Sequence, residues 1–309
     1  ASFAIVVCAY SVMCYQYHLV LFVDQGKAST LSDKEVILRW TKMFPRNAAI
    51  LETLRQNSKS RAAQRQMKQQ VTLWRERLSD ISWFMRCLNE HVARRANKED
   101  NCRGRFWEGR FKSQALLDEK ALVTCMAYVD LNPIRAGVSD SLDKSDFTSI
   151  QERLINHAKK VKNRSYRQNR LLTRRSTKHL VGRQSTRKQS VLKQFTDMPG
   201  LNDEPISLCQ QSYFALLEST SKALKLLDSN SGKAINVLED RQLVLQRIGI
   251  SSDSWLKSVK YFHRHYAIAA GSETSLIEYH KSRIKAGVEF KYPNKWIRGL
   301  HSARLLYGT

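Results

Sequence analysis

The sequence predicts an α+β domain followed by a basic arm and a small all-α domain. Three observations predict it: two strand-like apolar runs open the chain, apolar residues at helical spacing follow them, and the composition changes sharply past residue 155. Strands first and helices after is the pattern of a sheet packed against helices. The 309 residues exceed one small core and suit two domains of roughly 100–200 residues each.

The first element is Phe3-Ala4-Ile5-Val6-Val7-Cys8-Ala9-Tyr10-Ser11-Val12-Met13, and the second is Tyr17-His18-Leu19-Val20-Leu21-Phe22-Val23. Both are rich in β-branched and aromatic residues, and their near-continuous apolarity suggests strands covered by helices on at least one face. Ser32-Asp33-Lys34-Glu35 fits a capping box ahead of Val36, Ile37 and Trp40. A second helix is expected from near Ser79, with Ile81, Phe84, Met85, Leu88 and Val92 on one face. A third begins at Asp118, a good N-cap, and carries Ala121, Leu122, Cys125, Tyr128 and Val129 until Pro133 interrupts it. These elements place the first domain at residues 1–155.

From Lys159 to Lys193 there are thirteen Lys or Arg and no Asp or Glu. Such a run repels itself, so residues 156–198 read as a mobile arm that would order on a phosphate backbone. Past Pro199, Tyr213, Leu216, Leu217, Leu224 and Leu227 mark one amphipathic helix. Val237 to Ile248 and Trp255 to Ala270 mark others, with Gly249 and Gly271 as their C-terminal stops. Residues 199–309 are therefore expected to form a helical accessory domain.

Charge narrows the partners. Lys and Arg total 52 against 28 Asp and Glu, a formal net charge of +24. A surplus of that size repels itself unless a polyanion offsets it, and nucleic acid is the usual one. No apolar run is long enough to span a bilayer, so no membrane partner is expected. The opening stretch Phe3–Cys8 is short and lacks a basic leader, and it reads as a strand rather than a signal peptide. The six cysteines form no C-x-x-C pair and keep no regular spacing. That argues against zinc and a disulfide framework, and for reduced thiols in the cytoplasm.

The chemistry concentrates in two segments, Met13-Cys14-Tyr15-Gln16-Tyr17-His18 and Tyr128-Val129-Asp130-Leu131-Asn132-Pro133-Ile134-Arg135-Ala136-Gly137. Together with Gly104-Arg105-Phe106-Trp107-Glu108-Gly109-Arg110-Phe111 they resemble the REP-associated tyrosine transposases and their single-tyrosine HUH insertion-sequence relatives. The signature of that family is a Met-x-Asn-His-x-His strand, a Trp-containing basic segment, and a Tyr-Ile/Val-x-x-Asn-Pro-x-Arg-Ala-Gly helix end. The resemblance extends over nearly the whole chain, with Ala234-Ile235-Asn236 and Leu243-Val244-Leu245-Gln246-Arg247 similar to the helical extension of the longer members.

The resemblance implies an HUH-type, ferredoxin-like antiparallel sheet with helices, one strand and one helix of which would precede Ala1. It implies a DNA transposase that cleaves and rejoins single-stranded or hairpin DNA through a 5′-phosphotyrosine on Tyr128. A divalent ion, Mg or Mn, would be held by His18, Gln16 and Asn132. Two residues one apart on a strand share a face, and Asn132 follows Tyr128 by one helical turn, although Pro133 makes that facing approximate. Gln16 stands where the family has its first histidine and Tyr15 where it has Asn. A neutral amide oxygen binds Mn²⁺ more weakly than imidazole does. Gln16 thus favours a second reading, a catalytically inactive nucleic-acid-binding remnant. The resemblance also leaves room for a homodimer.

The DNA contacts implied are Arg105, Trp107, Arg110, Lys112, Arg135, Arg164, Arg167, Arg174 and Arg175. Trp107, Phe106 and Phe111, interleaved with cations, suit either a hydrophobic plug between helices or a platform for unpaired bases. His263-Arg264-His265 is the one His-x-His in the sequence. It lies in a helical pattern, where residues two apart diverge by about 200°, and reads as part of a basic helix face.

Overall fold

The computed structural model describes residues 2–48, 52, 60–173, 192, 208–227, 231–266 and 268–285, with the side chains of 164–173, 231 and 265 outside the description. The architecture is α+β, mostly helical, with a small two-stranded antiparallel sheet. The chain divides into two compact units, one of residues 1–7 with 21–112, the other of residues 8–20 with 113–309. The sheet is a hairpin of β1 (Ile5–Val12) and β2 (Tyr17–Val23), closed by a turn in which Met13 N–H donates to the Gln16 carbonyl at 2.8 Å.

The first unit holds the open end of the hairpin and four helices, α1 (Gln25–Thr30), α2 (Asp33–Met43), α3 (Arg61–Leu78) and α4 (Ile81–Glu99). Helix α2 opens on the expected capping box, with Ser32 N–H donating to the Glu35 carboxylate at 2.9 Å and Glu35 N–H to the Ser32 hydroxyl at 3.4 Å. Helix α4 opens on Asp80, which accepts from Trp83 N–H at 2.9 Å. Phe3, Ile5, Leu31, Val36, Trp40, Val71, Trp74 and Leu78 form the core, with Trp40 and Trp74 stacked at 5.8 Å. Helix α3 is absent from the expectations above. Its signal is Val71, Trp74 and Leu78 at helical spacing, diluted by cationic and Gln residues on every other side.

The second unit contains the closed end of the hairpin, β3 (Ala115–Leu116), α5 (Glu119–Asp130), the single turn α6 (Asn132–Arg135), α7 (Ser149–Thr173), α8 (Gln210–Leu227), α9 (Ser231–Asn236), α10 (Gln242–Ile248), α11 (Ser252–His265), β4 (Ala269–Ala270) and α12 (Glu273–Lys285). Helix α5 is at its centre. Ala121, Val123, Thr124, Met126, Ala127, Tyr128, Val129 and Asp130 are all buried, so this helix has hardly any solvent face. Helix α11 packs against both α5 and α8.

Asp118 anchors the start of α5. One carboxylate oxygen accepts from Ala121 N–H at 2.8 Å and the other from Ser272 N–H at 2.5 Å. Strand β3 runs parallel to β4, with Ala115 opposite Ala269 and Leu116 opposite Ala270. This pairing corrects the helix expected to continue to Ala270: α11 stops at His265, and Ala269–Ala270 leave the helix to complete the ladder. Gly271 is therefore no helix stop. A Cβ there would lie 2.9 Å from Leu117 Cβ, a close approach only Gly permits. Gly249 does end its helix, at φ 70°. The first part of the basic run, to Thr173, is helical backbone in α7, so the boundary expected near residue 155 falls inside a helix. Among the described residues no helix is long and apolar enough to cross a membrane.

Asp130 ties four elements together. It is fully buried, and its carboxylate accepts from the Ser149 hydroxyl of α7 and from the Tyr213 phenol of α8, the latter at 2.7 Å. The Ser149 oxygen in turn accepts from Tyr10 N–H of β1 at 2.9 Å. Burial pushes the Asp130 pKa above the usual carboxylate range, against the pull of Arg153 and of the hydroxyl donors.

Candidate functional site

Helix α5 delivers Tyr128 to the middle of the second unit, and the break after Asp130 turns the chain so that Asn132 and Arg135 come back toward it. Leu131 leaves helical geometry at ψ 3°, and Pro133 opens the following turn. Arg135 lies flat over the phenol, its guanidinium carbon 3.8 Å from the ring centroid, a cation–π contact. The same guanidinium donates to the Asn132 amide oxygen at 2.7 Å, to the Lys260 carbonyl at 3.1 Å and to the Tyr128 carbonyl at 3.5 Å. The Asn132 amide nitrogen is 2.7 Å from Met13 Sδ in the hairpin turn.

His18 of β2 meets the phenol edge-on, with ring centroids 5.7 Å apart. Its Nε2 is buried and has no hydrogen-bond partner. Burial, followed by the Arg135 cation and His263, holds the His18 pKa below the ordinary imidazole value and favours the neutral ring. Arg135 is likewise lowered by burial, with Tyr128 opposing the shift. Phe262 and His263 of α11 approach the same phenol at 5.6 Å and 6.1 Å. Tyr128 itself is only 7% exposed, so a substrate reaches it only when a neighbour moves. His263 is the exposed one among the rings around it.

Four of the expected residues, His18, Tyr128, Asn132 and Arg135, are thus brought together from segments far apart in sequence. Gln16 is exposed in the hairpin turn, one residue before β2 begins, so the alternation expected to align it with His18 does not govern it. For an ion, the unpartnered Nε2 of His18 is a fitting donor. The guanidinium on the Asn132 oxygen opposes it, because a second cation there meets like charge at close range.

The expected DNA contacts divide. Arg135 is a half-buried clamp over Tyr128 rather than a surface cation. Arg105, Arg110 and Lys112 are exposed in an irregular segment of the first unit. In that segment Trp107 Nε1–H donates to the Asn89 carbonyl of α4 at 2.9 Å, and Phe106 stands edge-on to Trp107 at 4.8 Å. Arg105 Nε–H donates to the Trp107 carbonyl at 2.8 Å. One aromatic is therefore anchored while Phe106 (42%) and Phe111 (36%) keep open faces. Arg164 and Arg167 lie on the α7 backbone with side chains outside the description, and Arg174 and Arg175 lie outside the described residues.

The sequence reading missed the contribution of α11. His263 was legible as half of a His-x-His, but its approach to Tyr128 depends on packing between residues more than a hundred positions apart. No family model, curated protein or solved structure matches the chain.

Proposed function

We propose that this chain is a DNA transposase of the single-tyrosine HUH type, in which Tyr128 attacks the phosphate backbone of single-stranded or hairpin DNA. What supports the reading is one observation. The residues that the sequence motif names, Tyr128, His18, Asn132 and Arg135, converge on a single phenol. In this reading the β1–β2 hairpin belongs to a ferredoxin-like antiparallel sheet. The Tyr128 oxygen bonds to phosphorus, the bond to the 3′-oxygen breaks, and the strand is held as a 5′-phosphotyrosine until a second 3′-hydroxyl reverses the step. Arg135, within 4 Å of the ring, offers positive charge to the phosphate once it swings off the phenol.

The divalent ion that this reading calls for, Mg or Mn, would be held by His18, Asn132 and Gln16, and when bound it would polarise the phosphate. The exposed cations Arg105, Arg110 and Lys112, with Phe106 and Trp107, would grip unpaired bases and backbone in a sequence-tolerant way. Location in the cytoplasm and assembly as a homodimer go with the same proposal.

The test is direct. Labelled single-stranded hairpin DNA, incubated with the protein and Mn²⁺, should give a covalent protein–DNA adduct that Tyr128→Phe abolishes. If no adduct forms even in Gln16→His, the catalytic reading fails. A second reading, an inactive nucleic-acid-binding remnant, is favoured by two observations: Gln16 is exposed where an imidazole is expected, and Arg135 engages the Asn132 oxygen. It predicts DNA retention without an adduct.

A further inference from the structure

We propose that His263 is a further catalytic residue of this site, the base that takes the phenolic proton of Tyr128; this rests on the reading of Tyr128 as the nucleophile. Helix α11 reaches the tyrosine at three nearby positions. The Lys260 carbonyl accepts from Arg135 at 3.1 Å, and the rings of Phe262 and His263 lie 5.6 Å and 6.1 Å from the phenol. Successive side chains on a regular helix diverge by about 100°. Here the backbone departs from helical geometry at Tyr261 (φ −121°, ψ 24°), immediately before the two rings that converge.

An unassisted phenol is a weak nucleophile at neutral pH, with a reference pKa of about 10. Its neighbours offer few acceptors. Arg135 has none, Phe262 has none, and the Asn132 oxygen is engaged by Arg135. The Asp130 carboxylate is held by Ser149 and Tyr213. That leaves two imidazoles. His18 is largely buried, whereas His263 is exposed and can pass a proton on to water. In the step, the phenolic O–H bond breaks as the Tyr128 oxygen bonds to phosphorus, and the proton moves to a ring nitrogen of His263. The 3′-oxygen leaves with the electron pair of its broken bond and is protonated by water, and the imidazolium returns its proton to solvent.

A small phosphorylating reagent tests this without DNA or ion. Diisopropyl fluorophosphate transfers its phosphoryl group to an activated hydroxyl with loss of fluoride, and peptide mass spectrometry reads Tyr128 against Tyr15, which is 99% exposed and serves as the reference. Tyr128 should label faster than Tyr15. His263→Ala should slow it at least about tenfold, a modest share of what general bases contribute, with Tyr15 unchanged. Added imidazole should restore part of the rate, and His263→Gln, which keeps a polar group without a basic nitrogen, should remain slow. A wild-type rate in His263→Ala or His263→Gln overturns the inference, as does a Tyr128 that labels no faster than Tyr15. A protein that labels as expected but forms no adduct with hairpin DNA defeats the transposase reading alone.

Discussion

Single side chains decide what Tyr128 can do, and Gln16 and Asp130 bear on it from opposite directions. Gln16 lies in an exposed turn, so a larger, basic side chain there meets no packing penalty. Gln16→His is expected to raise Mn²⁺ affinity about tenfold or more, since imidazole replaces a neutral amide oxygen. Calorimetric titration of wild type and variant, with His18→Ala as control, checks it, and equal affinities would count against an ion at this place. Asp130 affects stability instead. Its folded pKa is raised above the unfolded value, so the folded state holds the proton more tightly and stability is lost as pH rises between the two. Asp130→Asn removes that ionisation. Urea unfolding measured from about pH 4 to neutrality should fall less steeply in the variant, and an unchanged slope would show that Asp130 does not titrate there. Tyr128 and Arg135 were legible in the sequence because a local motif names them. Asp130 was not, because its value lies in Ser149 and Tyr213, which only folding brings to it.

Elements were legible where their ends carry local chemistry. Ser32 with Glu35, Asp118 and Gly249 each announce a helix boundary by satisfying or releasing backbone groups nearby. Helix α3 and the end of α11 announce nothing of the kind. Ser60 makes no side-chain cap, and the strand at Ala269–Ala270 exists only because β3 pairs with it. The capping box should be worth roughly 0.5–2 kcal/mol, so Ser32→Ala should lower unfolding free energy by that amount in denaturant titration. Between elements, Tyr213→Phe deletes the donor by which α8 holds the buried Asp130. A loss of roughly 1–3 kcal/mol is expected, because the carboxylate keeps its burial and loses a partner. A double-mutant cycle with Ser149→Ala should be non-additive, since both hydroxyls serve one carboxylate. Strict additivity would mean that the two contacts are energetically separate.

For the molecule as a whole, the charge of +24 is the most direct handle. Binding to single-stranded DNA should weaken steeply with salt, the logarithmic slope falling by about 0.7 for each phosphate neutralised. Replacing Arg174, Arg175, Lys178, Arg183, Arg187 and Lys188 by Gln should make the slope shallower by about that amount per lost contact, read by fluorescence anisotropy across a salt series. An unchanged slope would remove this run from the binding surface. The order in which the units are threaded has a consequence in time. Residues 21–112 interrupt the stretches that make up the second unit. A ribosome therefore completes His18, the whole of the intervening segment and Tyr128 well before it reaches Phe262 and His263. Throughout that interval the tyrosine lacks the wall that α11 builds against it. A nascent chain, or one cut short before α11, would carry every residue of the tyrosine motif and still hold no finished site.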